Sequence, residues 1–135
     1  MEDCIFCRIV AGLAPAEVLA EDDDVIVFLA LEGHPLVVPK PHVPNIYALS
    51  DALGAAVMRQ TIRVAKAVKI GLRCDGVYLA QANEPAADQE VFHFHLHIFP
   101  RWLGDTAGYA PGAALMGRWP RQALRAQIVE ALRRP

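Results

Sequence analysis

Three histidines occupy alternate positions of the chain, His93, His95 and His97, and every residue between and beside them is apolar. Side chains of an extended strand alternate between its two faces, so this spacing predicts a β-strand over Val91 to Phe99 with three imidazoles on one face. Imidazole titrates near neutral pH and can act as base, acid, nucleophile or metal ligand. Because the chain has only five histidines, the row predicts a functional site.

Metal binding is one chemistry that these residues allow. Cys4 and Cys7 form a Cys-x-x-Cys pair, which offers two thiolate ligands for a tetrahedral zinc ion. The two missing ligands would be histidines, namely His42 and one member of the row. A catalytic ion held by the row itself is a weaker alternative, because same-face neighbours on a strand lie about 6.5–7 Å apart.

Phosphorus chemistry is the other possibility. A neutral imidazole nitrogen can attack a phosphorus centre that carries a good leaving group, and water later hydrolyses the phosphoramidate that forms. The ring must be held in one tautomer, with neighbouring donors for the charge on the phosphoryl oxygens. The row supplies a central nucleophile, His95, between two supporting imidazoles. From the residues alone, the choice between a metal and phosphorus stays open.

The elements that must position these residues predict an α+β fold with an antiparallel sheet. Cys4 to Gly12 is predicted to be a short helix or turn. The first two of five predicted strands form a hairpin around an acidic turn. The strands are predicted at Glu17 to Ala20, Val25 to Phe28, Leu36 to Val38, Val77 to Ala80 and the histidine row, which Pro100 ends.

Two longer helices are predicted, and they complete one domain. Ser50 is a typical N-cap for the first, which ends at Gly71 and has apolar residues at helical spacing. The second has Leu124, Ile128 and Leu132 on one face. We expect a single domain over residues 1–135, with a core at about 3–105 and a C-terminal extension and helix at 106–135. The arginines of this last region are predicted to form a solvated helix face: Arg121, Arg125, Arg133 and Arg134.

Composition narrows the possible partners and location. The net charge is −2 and no element carries a basic cluster, so we expect no nucleic-acid partner. No apolar run reaches the length of a membrane span, and the first residues lack the basic segment and apolar core of a signal peptide. The sequence therefore predicts a cytoplasmic protein without a membrane partner. The hydrophobic fraction of 54% also suggests a buried oligomer surface.

The same residues resemble the histidine triad (HIT) family of nucleotide hydrolases and transferases, in its zinc-containing bacterial branch. The resemblance covers the chain to about residue 105. It rests on His-Phe-His-Leu-His-Ile-Phe at 93–99, Cys-Ile-Phe-Cys-Arg-Ile-Val at 4–10, Ala-Pro-Ala at 14–16, Glu-Asp at 21–22, Val-Phe-Leu at 27–29, Gly-His-Pro-Leu-Val-Val-Pro-Lys-Pro-His at 33–42, Gln-Glu-Val-Phe at 89–92 and Pro-Arg at 100–101.

The resemblance implies a catalytic site. His95 matches the nucleophile that takes the α-phosphoryl group, and His97 and His34 match histidines that line the phosphate site and assist charge stabilisation. Gln89 and, approximately, Asn83 match residues near the phosphates. The implied substrate is a purine nucleoside monophosphate joined to a leaving group, as in a phosphoramidate or a dinucleotide.

A structural zinc ion and a dimer are implied as well. His93 matches the triad histidine that ligates metal in zinc-containing relatives, so the implied zinc ligands are Cys4, Cys7, His42 and His93. This assignment gives a role to each of the five histidines. The implied fold is a five-stranded antiparallel sheet with two main helices, and the family is usually a homodimer whose sheets join across the interface.

Two departures from the family pattern affect nucleoside recognition. The family's loop after Phe28 is longer and has an aspartate that holds the ribose hydroxyls, whereas this chain has Ala30 there, with Glu32 as a possible substitute. The glycine expected before Gln89 is Asp88. These departures motivate a second interpretation, in which the chain is a nucleotide-binding or interaction dimer of the same fold with weak or lost catalysis.

Overall fold

The structure, a computed structural model, describes residues 3–108, 110–115 and 117–134. Five strands form one antiparallel sheet in the order β1-β2-β3-β5-β4: β1 (Val18–Glu21), β2 (Val25–Leu29), β3 (Pro35–Pro39), β4 (Gly76–Ala80) and β5 (Leu96–Arg101). Three helices pack on it: α1 (Ile5–Val10), α2 (Asp51–Gly71) and α3 (Arg121–Leu132). The predicted α+β class and five-stranded antiparallel sheet are confirmed. Five residues of the predicted domain lie outside the described part: Met1, Glu2, Tyr109, Met116 and Pro135.

Helix α2 covers one face of the sheet. Its N-terminus is capped as predicted, because the Ser50 side chain accepts a hydrogen bond from the backbone N–H of Leu53. Val64 and Val68 of α2 are completely buried, as are residues of β2, β3 and β5. Together they form the main apolar core, which includes Val25, Val27, Val37, Val57, Val64, Val68 and Ile98.

Helix α1 covers part of the opposite face. Phe6 is its buried residue, and its ring meets Phe28 of β2 edge to face at 5.4 Å between centroids. A second apolar cluster forms around this pair from alternate residues of β2 and β3 and the residue after β2, namely Ile26, Phe28, Leu36, Val38 and Ala30. The rest of this face is left for the histidines, because α1 is only 6 residues long.

The histidine strand differs from its prediction. The structure starts β5 at Leu96 and carries it through Pro100 to Arg101, so His93 and His95 precede the strand. Leu96 and His97 are the only β5 residues that pair with β3 among the described residues. Among the described residues, no strand therefore pairs with Pro100 on the side of β3. Proline has no backbone N–H, and on this unpaired side its absence removes no hydrogen bond from the sheet.

Helix α3 packs on α2 and β1. Ile128 of α3 is completely buried, and Leu124 is nearly so. A Cβ at Gly71 would lie 2.6 Å from the carbonyl oxygen of Gln127, so the close approach of the two helices depends on that glycine. None of the helices in the described residues is long and apolar enough to cross a membrane.

Candidate functional site

A cluster of four potential metal ligands lies where α1 meets the segment before β5. One ligand atom from each residue lies within 4.8 Å of the others, and the described residues contain one such group: Cys4, Cys7, His42 and His93. Cys4 is the N-cap of α1 and Cys7 lies in its first turn, so the helix presents both thiols together. The four residues predicted as zinc ligands are thus brought together and could hold a metal ion.

The spacing inside this cluster fits a tetrahedral ion. The Nδ1 atom of His42 lies 3.2 Å from the sulfur of Cys7, and Nδ1 of His93 lies 3.3 Å and 3.5 Å from the sulfurs of Cys4 and Cys7. Tetrahedral zinc with bonds of about 2.3 Å to sulfur and about 2.0 Å to nitrogen separates these atoms by roughly 3.5 Å. The donor set therefore has both the chemistry and the spacing that such an ion needs.

The surroundings of the cluster favour a cation. Burial, and then neighbouring Cys4, raise the pKa of the Cys7 thiol, so a thiolate there needs a compensating positive charge. Burial lowers the pKa of His93, which keeps that ring neutral and able to ligate. The Nε2 atom of His93 donates to the carbonyl of Pro39 at 2.7 Å, which turns Nδ1 toward the thiols.

His95 is held in one tautomer. Its Nδ1 atom lies 2.9 Å from the carbonyl oxygen of His93. A carbonyl only accepts, so Nδ1 carries the proton and Nε2 of the neutral ring keeps its lone pair. Burial lowers the pKa of His95, which favours that neutral form. Phe6 of α1 packs edge to face on the imidazole at 5.1 Å, so the ring is also oriented by packing.

His97 lies beside His95 and is backed by His34. The rings of His95 and His97 are 5.0 Å apart, and Nδ1 of His97 hydrogen-bonds Nε2 of His34 at 2.9 Å. His34 is completely buried, so it reaches any bound ligand through His97. Burial and then the neighbouring histidines lower the pKa of His34 to about 3 and that of His97 to about 4. Both rings are therefore neutral at neutral pH.

The other two residues predicted near the phosphates already have hydrogen bonds. Gln89 is buried, and its amide nitrogen donates to the carbonyls of Pro44 and Val91 while its oxygen accepts from the N–H of Glu84. The side-chain oxygen of Asn83 accepts from the N–H of Ile46 at 2.8 Å. A phosphate contact by Gln89 would replace one of these bonds, because both hydrogens of its amide nitrogen are already donated. The amide nitrogen of Asn83 donates one hydrogen to Gln81 and keeps a second.

The structure shows the surroundings of both departures from the family pattern, Ala30 and Asp88. Ala30 is buried in the apolar cluster under α1. The Glu32 carboxylate lies beside Gly112, and its Oε2 atom would be 3.4 Å from a Cβ placed on that glycine. Asp88 has a φ of +69° and is exposed. Glycine is the usual residue in such a left-handed conformation, and aspartate tolerates it better than most.

Two residues of the site escaped the sequence analysis. Phe6 supports His95, although its apolar character alone indicated only a buried residue. Arg121 was expected on a solvated face, but its guanidinium pairs with Glu17 and donates to the carbonyls of Ala30 and Leu31. No sequence signal indicated this pair, because Glu17 and Arg121 lie 104 residues apart in the chain.

Comparison with known proteins identifies the family. The model of the HIT domain matches residues 11–102, which include the whole sheet and His34, His95 and His97. Protein hit of Bacillus subtilis is 38% identical over 112 residues, covering 79% of this chain and 77% of the relative. This chain belongs to the HIT family.

Two further relatives bear on the site. A crystal structure of a zinc-bound histidine triad family protein from Mycobacterium smegmatis has a TM-score of 0.83 and 34% identity, covering 97% of this chain and 94% of that one. Adenylylsulfatase HINT3 of Arabidopsis thaliana is 34% identical over 103 residues, covering 73% of this chain and 52% of the plant protein. The family thus includes a zinc-bound protein and a hydrolase.

Proposed function

We propose that this protein is a nucleotide hydrolase or transferase that cleaves a nucleoside monophosphate from its leaving group through a nucleotidyl-His95 intermediate. The observation that carries the proposal is the hydrogen bond from His95 Nδ1 to the carbonyl of His93, at 2.9 Å. It leaves Nε2 as an unprotonated nucleophile on a half-buried ring. The HIT family membership and the similarity to a plant adenylylsulfatase support the reaction class.

In the first step, His95 Nε2 attacks the α-phosphorus and the bond from phosphorus to the leaving group breaks. We place the proton of the hydrogen bond between His34 and His97 on His34 Nε2, so that His34 donates and His97 Nδ1 accepts. His97 then carries its own proton on Nε2 and donates a hydrogen bond through it to the departing amine or oxygen, which takes its proton from solvent. The nucleotide is left bonded to His95 Nε2 as a phosphoramidate, whichever leaving group has departed.

In the second step, water attacks the same phosphorus and the bond to His95 Nε2 breaks. The proton lost by the water passes to solvent, so both rings of the pair stay neutral throughout. A nucleoside monophosphate leaves the site. His34 has no exposed surface and acts in both steps through His97, by fixing its tautomer and orientation.

Zinc is the metal that we propose for the cluster of Cys4, Cys7, His42 and His93. When bound, the ion would supply the positive charge that holds both thiolates and would join α1 to the segment before β5. It takes no part in the phosphoryl transfer. Its ligands contribute to the reaction by placement, because α1 carries Phe6 against His95 and His93 provides the carbonyl that orients the nucleophile.

Turnover of an adenosine phosphoramidate tests the proposal. We expect the wild-type protein to release adenosine monophosphate and the His95→Ala variant to be at least about 1,000-fold slower, since the covalent route is lost. Unchanged zinc content and melting temperature would show that the variant is folded. Acid-labile nucleotide on the wild-type chain, found by mass spectrometry after rapid quenching, would identify the intermediate. Equal rates for the two proteins would overturn the proposal.

We also propose a homodimer. The outward face of α2 carries Met58 and Ile62, which are 45% and 50% exposed, and the edge strand β4 carries Tyr78 and Leu79, which are 49% and 42% exposed. In the described residues, β4 pairs only with β5, so its other edge is open. Apolar residues beside an unpaired strand edge suit a second copy whose β4 would continue the sheet.

A binding protein without turnover is the second candidate. It is favoured by the apolar setting of Ala30 and by the hydrogen bonds that already engage Gln89 and Asn83. Calorimetric titration with adenosine monophosphate separates the two candidates when it accompanies the turnover assay. Binding without turnover would establish the second candidate, and turnover would exclude it.

A further inference from the structure

His34 is a buried ring with little to hold it. Its Nε2 atom has one partner, His97, and its Nδ1 atom is buried with no hydrogen-bond partner among the described residues. Phe99 lies against the ring, with centroids 4.1 Å apart, but an aromatic contact is less directional than a hydrogen bond. The placement of His34 therefore depends mainly on the backbone turn that precedes it.

That turn is tight and has few hydrogen bonds of its own. The N–H of Ala30 donates to the carbonyl of His34 at 2.8 Å, and the N–H of Gly33 donates to the carbonyl of Ala30 at 2.9 Å. Gly33 has a φ of +107°, a conformation that is available to glycine and strained for other residues. A residue with this freedom needs an external restraint if the turn is to hold one shape.

The restraint comes from α3, a helix that lies outside the residues matched by the family model. Nη1 of Arg121 donates to the carbonyls of Ala30 at 3.0 Å and Leu31 at 2.9 Å. Its other nitrogens donate to the carboxylate of Glu17, at 2.7 Å and 3.1 Å, which fixes the guanidinium plane. One side chain thus bonds two successive carbonyls of the turn.

Packing adds to the same contact. A Cβ at Gly33 would lie 2.8 Å from Leu124 of α3 and 3.0 Å from Leu115, so the turn already touches both side chains. Leu124 and Leu115 are buried, and they leave the turn no room to move toward the helix. Arg121 opposes movement in the other direction, because lifting the turn away would break two hydrogen bonds to a charged donor.

We propose that Arg121 is a positioning residue for catalysis, which acts through the turn of residues 30–33 on His34 and thereby on His97. The inference rests on the proposed function of the His34–His97 pair. The guanidinium is suited to this task since its rigid planar fork donates four hydrogen bonds here, two to carbonyls and two to a carboxylate, whereas an ammonium has three donors. Because displacement of a catalytic group by about 1 Å can lower a rate by up to about 100-fold, a loosened turn should be visible in kcat.

The test compares Arg121→Ala with Arg125→Ala. Arg125 lies one turn further along α3 and donates to the carbonyl of Val18 at 2.8 Å, which is in β1 and not in the turn. With an adenosine phosphoramidate as substrate, we expect kcat of Arg121→Ala to fall roughly tenfold with KM within about twofold of wild type. The Arg125→Ala variant should keep wild-type kcat. Arg121→Lys should lie between, because it keeps the charge and loses the fork.

A second measurement does not depend on turnover. The imidazole nitrogen chemical shifts of His34 and His97, read by NMR, should change in Arg121→Ala and stay unchanged in Arg125→Ala. If Arg121→Ala fails to fold, the same shifts in Arg121→Lys decide the question. The inference is overturned if the Arg121 variant matches the Arg125 variant in these shifts, or loses kcat without any change in them. If the wild type has no turnover, the proposed function fails while the shifts still test the positioning.

Discussion

At the scale of single residues, burial dominates the protonation of the His34–His97 pair. It is the largest cause of the lowered pKa of each ring, and the neighbouring histidines add to it. Among the described residues, no carboxylate contributes to the lowered pKa of either ring, in contrast to a Ser-His-Asp arrangement, where an aspartate stabilises the imidazolium. The pair is therefore suited to donating a hydrogen bond from His97 Nε2 while both rings stay neutral.

Because burial lowers the pKa of His34 and His97, we expect the stability of the fold to depend on pH. The folded pKa values, about 3 for His34 and about 4 for His97, lie below the unfolded value of about 6.5. The unfolded chain binds more protons between those values, so the free energy of unfolding is greatest above pH 6.5 and falls as the pH is lowered. Between pH 6.5 and pH 5 we expect a loss of about 1–2 kcal/mol from His34, and less from His97 because solvent partly screens its half-buried ring, measured by urea unfolding with zinc present.

A His34→Phe variant provides the control for this prediction. Phenylalanine fits beside Phe99 and cannot titrate, whereas carboxylates and metal ligands elsewhere are unchanged. The stability of the variant should fall less steeply over the same pH range. Parallel curves for the two proteins would contradict the assignment of the low pKa to His34.

The position of Ala30 predicts that the protein discriminates only weakly between ribose and 2′-deoxyribose substrates. Its methyl group is buried among apolar side chains, and the nearest acidic residue of the turn, Glu32, faces Gly112. Without a carboxylate for the ribose hydroxyls, ribose and 2′-deoxyribose substrates should be cleaved with similar kcat/KM, within about threefold. Paired assays with adenosine and 2′-deoxyadenosine phosphoramidates measure the ratio. A ribose preference above tenfold that Glu32→Ala abolishes would instead identify Glu32 as the ribose ligand.

At the scale of elements, α1 connects the cluster of Cys4, Cys7, His42 and His93 to His95. Cys4 and Cys7 belong to its N-terminal turn, and Phe6 between them packs on His95. A helix of 6 residues is not stable by itself, so its position depends on the cluster and on the burial of Phe6. Metal binding at this cluster would thus be coupled to the support of His95 through one short element.

Removal of a thiol ligand should therefore loosen α1 selectively. We expect Cys4→Ser to lose its zinc and at least about 3 kcal/mol of stability, because binding free energy of a structural ion is folding free energy. Hydrogen exchange should speed up in α1 and stay unchanged in the centre of α2. Cys74→Ala removes a buried thiol outside the cluster and should keep its zinc. Wild-type exchange in α1 of the metal-free Cys4→Ser protein would refute this coupling.

The contact between α2 and α3 depends on Gly71. Its missing side chain allows the Gln127 carbonyl to approach, and a Cβ at 2.6 Å from that oxygen would force the helices apart. Gly71→Ala should cost about 1–3 kcal/mol in urea unfolding, as other overpacked sites do. Gly54→Ala is the matched control in the same helix, because its Cβ would lie 3.7 Å from Leu49. That variant should be neutral or up to about 1 kcal/mol more stable than wild type.

At the scale of the whole molecule, the proposed dimer predicts the mass in solution. Light scattering after size exclusion should give twice the chain mass of 14.8 kDa. Ile62→Lys places a charge on the outward face of α2 and should give a monomer. Leu31→Lys changes a residue that is 93% exposed on a different surface, and it should remain dimeric. A monomeric wild type would exclude this assembly.

Much of the architecture could be predicted from periodicity. Alternating and β-branched segments predicted the bounds of β1 to β4 to within a residue or two. The apolar residues at helical spacing after Ser50 predicted α2. The start of β5 could not be predicted in this way, because the apolar alternation of residues 91–95 is the same whether or not they form a strand. In the structure the chain bends at Val91 to His93, and among the described residues β3 pairs with β5 only at Leu96 and His97.

The site could be predicted in part, by residue type more than by geometry. Thiols and imidazoles indicated a metal, but their convergence on one point depends on the path of the whole chain. The role of Arg121 was hidden for another reason. Helical periodicity shows that it lies off the apolar stripe, yet only the folded chain shows that backbone carbonyls lie opposite. Hydrogen bonds to backbone carbonyls depend on position and not on the identity of the acceptor residue.

His93 has one further consequence, for how such proteins diverge. Its ring belongs to the metal cluster, while its carbonyl orients His95. The ring disappears with any substitution, but the carbonyl belongs to the main chain and every amino acid retains it. A lineage can therefore exchange the metal ligands for ordinary packing and keep the tautomer of its nucleophile, provided that the new contacts hold residues 91–95 in place. Loss of the proposed metal site and loss of the hydrogen bond that orients His95 would therefore be separate events, although both involve His93.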